Sequence, residues 1–313
     1  MTDIPEDVRR WVDERQAARA SKDFGAADDL RERIREAGFE VVDRPGGSEV
    51  RPIATPSLAA GQRQRSRPDG IVQLLDQATT FDVSVQWVVE GWPEDVLRGI
   101  DSFRRHHPGR SIQQVIVDIS DTDPGLWPEE ADVIRLEPDV GWAAARNAGL
   151  EHAAGAIVLV VDGSIEATGD VFTPLERALT DPAVGVTGPF GIVTADLHEF
   201  RDAEGPGCDA VEAYLMAFRR EVFEQGLRFD PRFRFYRTAD IELSFQILSK
   251  GLRATVTGVP VRRHDHRVWQ ATAPADRDRL SKRNFYRFLD RWRGRFDLTV
   301  AGRRAASGRA PDD

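Results

Sequence analysis

Residues Asp139–Glu166, DVGWAAARNAGLEHAAGAIVLVVDGSIE, constrain the fold more than any other part of the chain. The spacing predicts a helix over Ala143–Ala154, with Ala143, Asn147, Leu150 and Ala154 on one face, which must be the buried one. Gly155 ends it. The apolar run Ile157–Val161 then reads as a buried strand, and Asp162-Gly163-Ser164 makes an acidic turn at its carboxyl end. A helix, a β-branched strand and an acid in that order belong to an α/β sheet, in which ligands bind beyond the carboxyl ends of the strands.

The flanking sequence repeats the alternation. Strands are expected at Val83–Val89, Val115–Ile119, Val133–Leu136 and Ala254–Val261. Helices are expected at Glu94–His106, with Val96, Leu97, Ile100 and Phe103 on one side, and at Ile241–Lys250. Strand-helix-strand order with β-branched strands predicts a parallel sheet. The residues to question are those just past the strands: Glu90, Asp118, Asp162, and the pair His264 and His266 in Arg262-Arg263-His264-Asp265-His266.

Four ordered stretches carry a family resemblance. They are VIVDISDTDP around Asp118, the Gly-x-x-x-Ala-Arg-Asn-x-Gly pattern of Gly141–Gly149, the Asp162-Gly163-Ser164 turn, and Thr238-Ala239-Asp240-Ile241-Glu242-Leu243-Ser244. Over roughly residues 82–270 the chain resembles family-2-type inverting glycosyltransferases with a GT-A fold. The fold class implied is α/β, a Rossmann-like mixed sheet that binds nucleotide-diphospho-sugars. The activity implied is transfer of a sugar from a UDP- or GDP-linked donor to an acceptor hydroxyl on a glycan, a lipid-linked molecule or a protein. The resemblance places Glu90, Asp118, Arg146, Asn147 and Asp162 at the nucleotide and makes Asp240 the general base. It places Mg²⁺ or Mn²⁺ at Asp162 with a histidine after the late strand, His264 in preference to His266. A hard divalent cation there would neutralise the departing diphosphate. Asp240 at a helix start would be favoured as an anion, and it can equally serve as the helix N-cap.

The chain also departs from that pattern. Glu90-Gly91-Trp92 stands where a Thr-Tyr-Asn-like turn is usual, Ser164 where a second Asp is usual, and Ala239 where a Glu is usual. These departures keep a second reading open: a nucleotide- or glycan-binding relative without turnover, coupled to a docking module.

That module is residues 1–53. Val8, Trp11 and Val12, and then Phe24, Ala27, Leu30 and Ile34, have helical spacing; Phe39–Asp43 is strand-like, and Pro45-Gly46-Gly47 turns. The stretch ERQAARASKDFGAADDLRERIREAGFEVVDRPGGSEVRP resembles the C-terminal helical region of cysteinyl-tRNA synthetases. The catalytic domain of those enzymes has no counterpart, so aminoacylation is not implied. The helices read as a docking or oligomerisation hairpin, or as an RNA contact through Arg15, Arg19, Lys22, Arg31 and Arg33. A net charge of −9 disfavours wide RNA contact.

Residues 54–70 read as a linker, and 303–313 as a disordered tail. Residues 271–302 carry an amphipathic helix with Leu280, Phe285, Phe288, Leu289 and Trp292 on one side and a basic face opposite. That helix can brace the sheet, or meet an anionic membrane surface near a lipid-linked acceptor. One cysteine, Cys208, leaves no intramolecular disulfide. MTDIPEDVRR is acidic and polar, unlike a secretory signal. The expected location is cytoplasmic, with the inner membrane face as an option.

Overall fold

The computed structural model describes residues 4–21, 23–37, 39–44, 47–52, 65–306 and 308. The chain divides into two compact units, Met1–Ser57 and Leu58–Asp313.

The first unit contains α1 (Glu6–Ala20), α2 (Phe24–Glu36), β1 (Phe39–Arg44) and β2 (Gly47–Pro52). Pro5 precedes α1, and Glu6 and Asp7 in its first turn complement the helix dipole. The strands pair antiparallel from Phe39↔Pro52 to Arg44↔Gly47. Val8, Val12, Ile34, Phe39 and Val41 form a small core, joined by partly buried Trp11. Lys22, Pro45, Gly46 and most of the expected linker lie outside the described residues.

The second unit begins with β3 (Phe81–Val89), α3 (Pro93–His106), β4 (Ile112–Asp118), β5 (Asp132–Arg135), α4 (Trp142–Glu151), β6 (Gly155–Val161) and β7 (Ile165–Ala167). It continues with α5 (Phe172–Leu179), β8 (Val184–Gly188), β9 (Gly191–Thr194), β10 (Phe200–Asp202), β11 (Gly207–Cys208), β12 (Ala210–Val211), β13 (Leu215–Arg219) and α6 (Glu221–Glu224). It closes with α7 (Ala239–Ser249), β14 (Arg253–Val256), β15 (Val261–Arg263), α8 (Arg267–Ala271), α9 (Pro274–Trp292) and α10 (Val300–Ala306).

The main sheet has the order β11-β14-β8-β13-β6-β3-β4-β5. β5, β4, β3 and β6 run parallel, as their apolar, β-branched sequences predict. The sheet as a whole is mixed, because β13 lies antiparallel between β6 and β8. Burial periodicity reports which face a residue occupies, not strand direction, so β13 could not be oriented from its sequence. Alternation in β6 sends Leu159 and Val161 to the side of α3 and α5, and Val158 and Val160 to the side of α4, α7 and α9. Gly149 of the Ala-Arg-Asn-x-Gly pattern has a packing reason: a Cβ there would sit 2.2 Å from Gln86 Nε2 on β3.

Two boundaries differ from expectation. Ser66 bridges Leu136 in parallel, and Arg65 donates to the Leu136 carbonyl at 2.9 Å, so residues 65–70 belong to the second unit rather than to a linker. α10 runs through Ala306, into the expected tail; residues 307 and 309–313 lie outside the described set. Among the described residues no helix is long and apolar enough to cross a membrane.

Candidate active site

The carboxyl ends of β3 and β6, the segment around β12, the start of α7 and the residues before α8 converge on two adjoining cavities. The larger is about 340 Å³ and is walled by Phe200, Tyr214, Tyr236 and Phe285, with Glu212 and Asp240 on its polar side. The smaller, about 40 Å³, is lined by Glu90, Gly91, Trp92, Gly163 and Ser164. Trp142, Asp162 and His266 border both. Two of the three non-glycine residues at positive φ among the described residues, Trp92 (52°) and Thr238 (73°), also line them. A β-branched residue such as Thr238 is costly in that region, and such strain concentrates at functional sites.

Asp162 anchors the shared wall. Its backbone N–H donates to the Tyr214 carbonyl at 3.0 Å, which fixes the turn against β13. Oδ1 accepts the Ser164 N–H at 2.9 Å and the Ser164 hydroxyl. Oδ2 lies 3.3 Å from His266 Nε2. Burial works against this carboxylate, but His266 and Ser164 hold its pKa below the usual range. His266 stacks on Tyr236 with ring centroids 4.4 Å apart. Burial opposes the imidazolium, yet Asp162 and Glu90 outweigh it and raise the His266 pKa. Glu90 differs: burial, reinforced by the Asp162 charge, pushes its carboxyl up to about 7.

The other acids form a second group. Asp240 is the second residue of α7, not its N-cap; Thr238 holds that position. Asp240 Oδ2 accepts the Ala213 N–H at 3.0 Å, and Oδ1 accepts the Ile241 N–H at 2.9 Å. Burial raises its pKa against those two bonds. Glu212 points into the same cavity, and no hydrogen bond to its carboxylate occurs among the described residues. Burial first, then the charge of Asp240, pushes Glu212 up to about 7, with Arg237 and Arg263 opposing.

Asp162, Glu90, His266 and Asp240, all expected at the site, are brought together here. Four others are not. Arg146, expected to reach a nucleotide, is 1% exposed. It donates to the Gln86 carbonyl at 3.1 Å and the Val161 carbonyl at 3.0 Å, bracing β3 against β6. Its charge still favours ionised Glu90 and Asp162 from beneath. Asn147 exchanges two hydrogen bonds with the Phe229 backbone, at 2.8 and 2.9 Å, and so ties α4 to the segment between α6 and α7 rather than to the acidic turn. Asp118 is fully buried; Ser120 occupies Oδ1, and Arg135 Nε stands 3.6 Å from Oδ2. His264 Nε2 is bound to Glu166 at 2.8 Å, beside the β7–β15 pair. The two histidines differ because consecutive alternate positions after a strand take different directions once the strand ends.

The family resemblance implies that Ala210–Phe235 forms part of the acceptor side, but it does not single out Glu212, Tyr214 or Tyr236. The first two lie in the irregular stretch between β12 and β13, where no periodicity operates. The Ala213–Asp240 hydrogen bond, beside that from the Val211 N–H to Ser244 Oγ, brings that stretch to α7.

For a metal, the convergent donors are one carboxylate and one imidazole, Asp162 and His266. No group of three or more His, Cys, Asp or Glu able to share an ion occurs among the described residues. Mg²⁺ sites with so few protein donors complete their shell with phosphate oxygens and water. The pair therefore fits an ion that arrives with a phosphate-bearing ligand. A further condition applies. His266 Nδ1 accepts the Trp269 N–H at 3.1 Å, which leaves the neutral ring's proton on Nε2. Ligation through Nε2, like full protonation, puts a proton on Nδ1 and releases the Trp269 amide.

Comparisons with known proteins agree with this architecture. Residues 109–244 match the model for glycosyl transferase family 2, and residues 1–51 match that for the cysteinyl-tRNA ligase anticodon binding domain. A cysteine–tRNA ligase of Methanosarcina acetivorans is 49% identical over 49 residues, which is 16% of this chain and 10% of that protein. The structure of GalNAc-T7 with UDP, GalNAc and Mn²⁺ superposes with a TM-score of 0.56 at 18% identity, covering 74% of this chain and 52% of that one. The mannosyltransferase PcManGT from Pyrobaculum calidifontis, solved with GDP-Man and Mn²⁺, gives 0.47 at 18% identity, over 79% and 81% of the two chains. This chain thus spans about half of GalNAc-T7 and a tenth of the ligase. Residues 109–244 thus resemble glycosyl transferase family 2, on a GT-A fold, and residues 1–51 resemble the cysteinyl-tRNA ligase anticodon binding domain.

Proposed function

We propose that this protein is an inverting glycosyltransferase that uses a nucleotide-diphosphate sugar. The observation that carries the reading is the pair of adjoining cavities meeting at Asp162 and His266, with a second, proton-holding acid pair across the larger one. The smaller cavity takes the diphosphate end of the donor and the larger takes the acceptor. The acceptor O–H proton passes to a carboxylate oxygen of the Glu212–Asp240 pair. The acceptor oxygen bonds to the anomeric carbon from the side opposite the diphosphate. The carbon–oxygen bond to the diphosphate breaks, and its electron pair leaves on the diphosphate oxygen. Glu212 presents the free oxygens, and Asp240 holds the Ala213 segment in place; burial, and then the Asp240 charge, keep Glu212 basic enough to take a proton near neutrality.

His266, protonated beside Asp162, meets the growing negative charge on the leaving group. With His266 unprotonated at Nε2 instead, a divalent ion, Mg²⁺ or Mn²⁺, would be held by Asp162 and His266 and would supply Lewis-acid neutralisation of the same charge. UDP- and GDP-sugars are the donors suggested by the ligands of GalNAc-T7 and PcManGT. The ligase-like domain extends the reading: its relatives' anticodon-binding role supports an RNA partner.

Calorimetry with UDP- and GDP-sugars, with and without Mn²⁺, tests the donor. Binding to wild type and its loss in Asp162→Ala are expected; no binding under any condition would sink the proposal. Binding without turnover would favour the non-catalytic relative suggested by Ser164. The configuration of the product's anomeric carbon, read by NMR, tests inversion.

A further inference from the structure

The net charge of −9 is not spread evenly. From Pro274 to Arg295 the chain carries eight basic side chains and three acidic ones. α9 turns Phe288, Leu289 and Trp292 into the core, at 0%, 2% and 4% exposure, where Phe288 and Trp292 pack on Phe245. Its outer side exposes Lys282, Arg283 and half of Tyr286. No carboxylate pairs with Lys282 or Arg283 among the described residues. Arg287 lies within the field of Arg283 and Arg232 and donates to the Arg232 carbonyl; Asp230, paired with Arg232 at 2.5 Å, only partly offsets these like charges.

This helix is attached to the larger cavity. Phe285 is part of the cavity wall, and the buried Asn284 donates to the carbonyls of Phe235 and Arg237 at 2.7 and 2.9 Å. Arg237 lines the cavity and stacks over Trp269, as does Arg277 of α9 at 4.9 Å. The surroundings of the cavity are therefore cationic, while its interior holds Glu212, Asp240 and Asp202 among aromatic rings.

We propose that the outer face of α9 docks the phosphate backbone of an RNA, one nucleoside of which enters the larger cavity as the acceptor. The proposal rests on the transferase reading above for the word acceptor, but not for the docking. The charges sort the ligand. Phosphates are attracted to α9 and repelled by the acidic interior, whereas an uncharged nucleoside can stack on Tyr236, Phe200 or Phe285 and offer a hydroxyl to Glu212. An anionic membrane would also attract α9. An interfacial helix, however, must bury its apolar face among acyl chains, and the apolar face of α9 is already in the protein core. Tyr286 beside Lys282 and Arg283 suits a base and its backbone better than a bilayer.

The test uses the full chain with a fluorescein-labelled RNA stem-loop and, separately, phosphatidylcholine–phosphatidylglycerol vesicles. Wild type should bind the RNA with an affinity that falls as salt rises. Lys282→Glu with Arg283→Glu should weaken binding by roughly tenfold or more and flatten the salt dependence. The milder Lys282→Gln with Arg283→Gln pair should fall between, which guards against misfolding as the cause. Binding of a UDP-sugar should be unchanged in both variants; its absence in wild type, with RNA binding intact, would count against the transferase reading alone. An RNA affinity unaltered by charge reversal, no RNA binding by wild type, or binding to the vesicles instead of the RNA would each overturn the proposal.

Discussion

The site contains two groups of acids that meet opposite fates. Asp162 has a donor on each oxygen, Ser164 on one and His266 on the other, and feels the charge of the buried Arg146. It stays an anion well below neutrality. Across the larger cavity, Glu212 has Asp240 for a neighbour and aromatic walls around it, and holds its proton up to about 7. Identical chemistry in the side chain thus yields a fixed negative charge in one place and an exchangeable proton in the other. Environment decides, and the roles follow: a fixed charge can organise cations, and a carboxylate titrating near 7 can accept a proton from a hydroxyl.

The most damaging way to break that division is Glu212→Gln. It keeps the shape and removes the proton acceptor. Transfer should slow by roughly 10²–10⁴-fold in kcat, with donor affinity by calorimetry close to wild type. In the wild type, kcat/KM should rise with pH through about 7, as Glu212 ionises. A variant that keeps wild-type kcat would reassign the proton to Asp240.

Asp162→Asn attacks the other half. The Ser164 contacts can survive on an amide oxygen, but the charge that holds His266 is gone. Donor affinity should fall by roughly 10–100-fold, and the His266 pKa, followed by NMR, should drop, because burial then acts without its counterweight. An unchanged His266 titration would mean that Glu90 rather than Asp162 sets it.

A smaller effect concerns stability, and its sign distinguishes the two groups. The Glu212 pKa is raised on folding from 4.5 to about 7, so the folded state binds the proton more tightly than the unfolded one. The stabilisation is fully present below about 4.5 and is lost as pH rises through 7. Glu212→Gln should therefore melt a few degrees higher than wild type at pH 8, by about 2–4 °C for each kcal/mol recovered. At pH 5 the two should melt nearly together. Asp162 has a lowered pKa, so its contribution is lost only as pH falls through the acid range, and Asp162→Asn should destabilise most at neutral pH.

Much of the first group was legible in the sequence, and little of the second. Asp162 could be found because strand burial has a short period and the acid directly follows the strand. Arg146 was found but misplaced: helical spacing fixes its angle on α4, not that β3 and β6 offer it backbone carbonyls at that angle. Within Ala210–Phe235, which the resemblance puts on the acceptor side, nothing singled out Glu212. Its neighbours Asp240, Arg237, Arg263 and Asp202 come from α7, the loop before it, β15 and β10. No local pattern could assemble them before the antiparallel β13 was known to lie beside β6.

The smallest effect is expected at His264, which sequence reasoning preferred to His266 as a ligand. His264 Nε2 is bound to Glu166, and Arg262 lies 3.4 Å from the same carboxylate oxygen. With His264 removed, Arg262 still satisfies Glu166, and neither cavity loses a wall residue. His264→Ala should therefore leave transfer within roughly threefold of wild type and cost no more than about 1 kcal/mol, as for a partly exposed ion pair. His266→Ala removes the group that faces Asp162 and stacks on Tyr236, and should weaken donor binding as Asp162→Asn does. Measuring both histidine variants in the same donor titration separates a residue that follows the strand from one that faces the site. Equal losses would mean that the β7–β15 pair moves with the donor and that His264 reaches it only then.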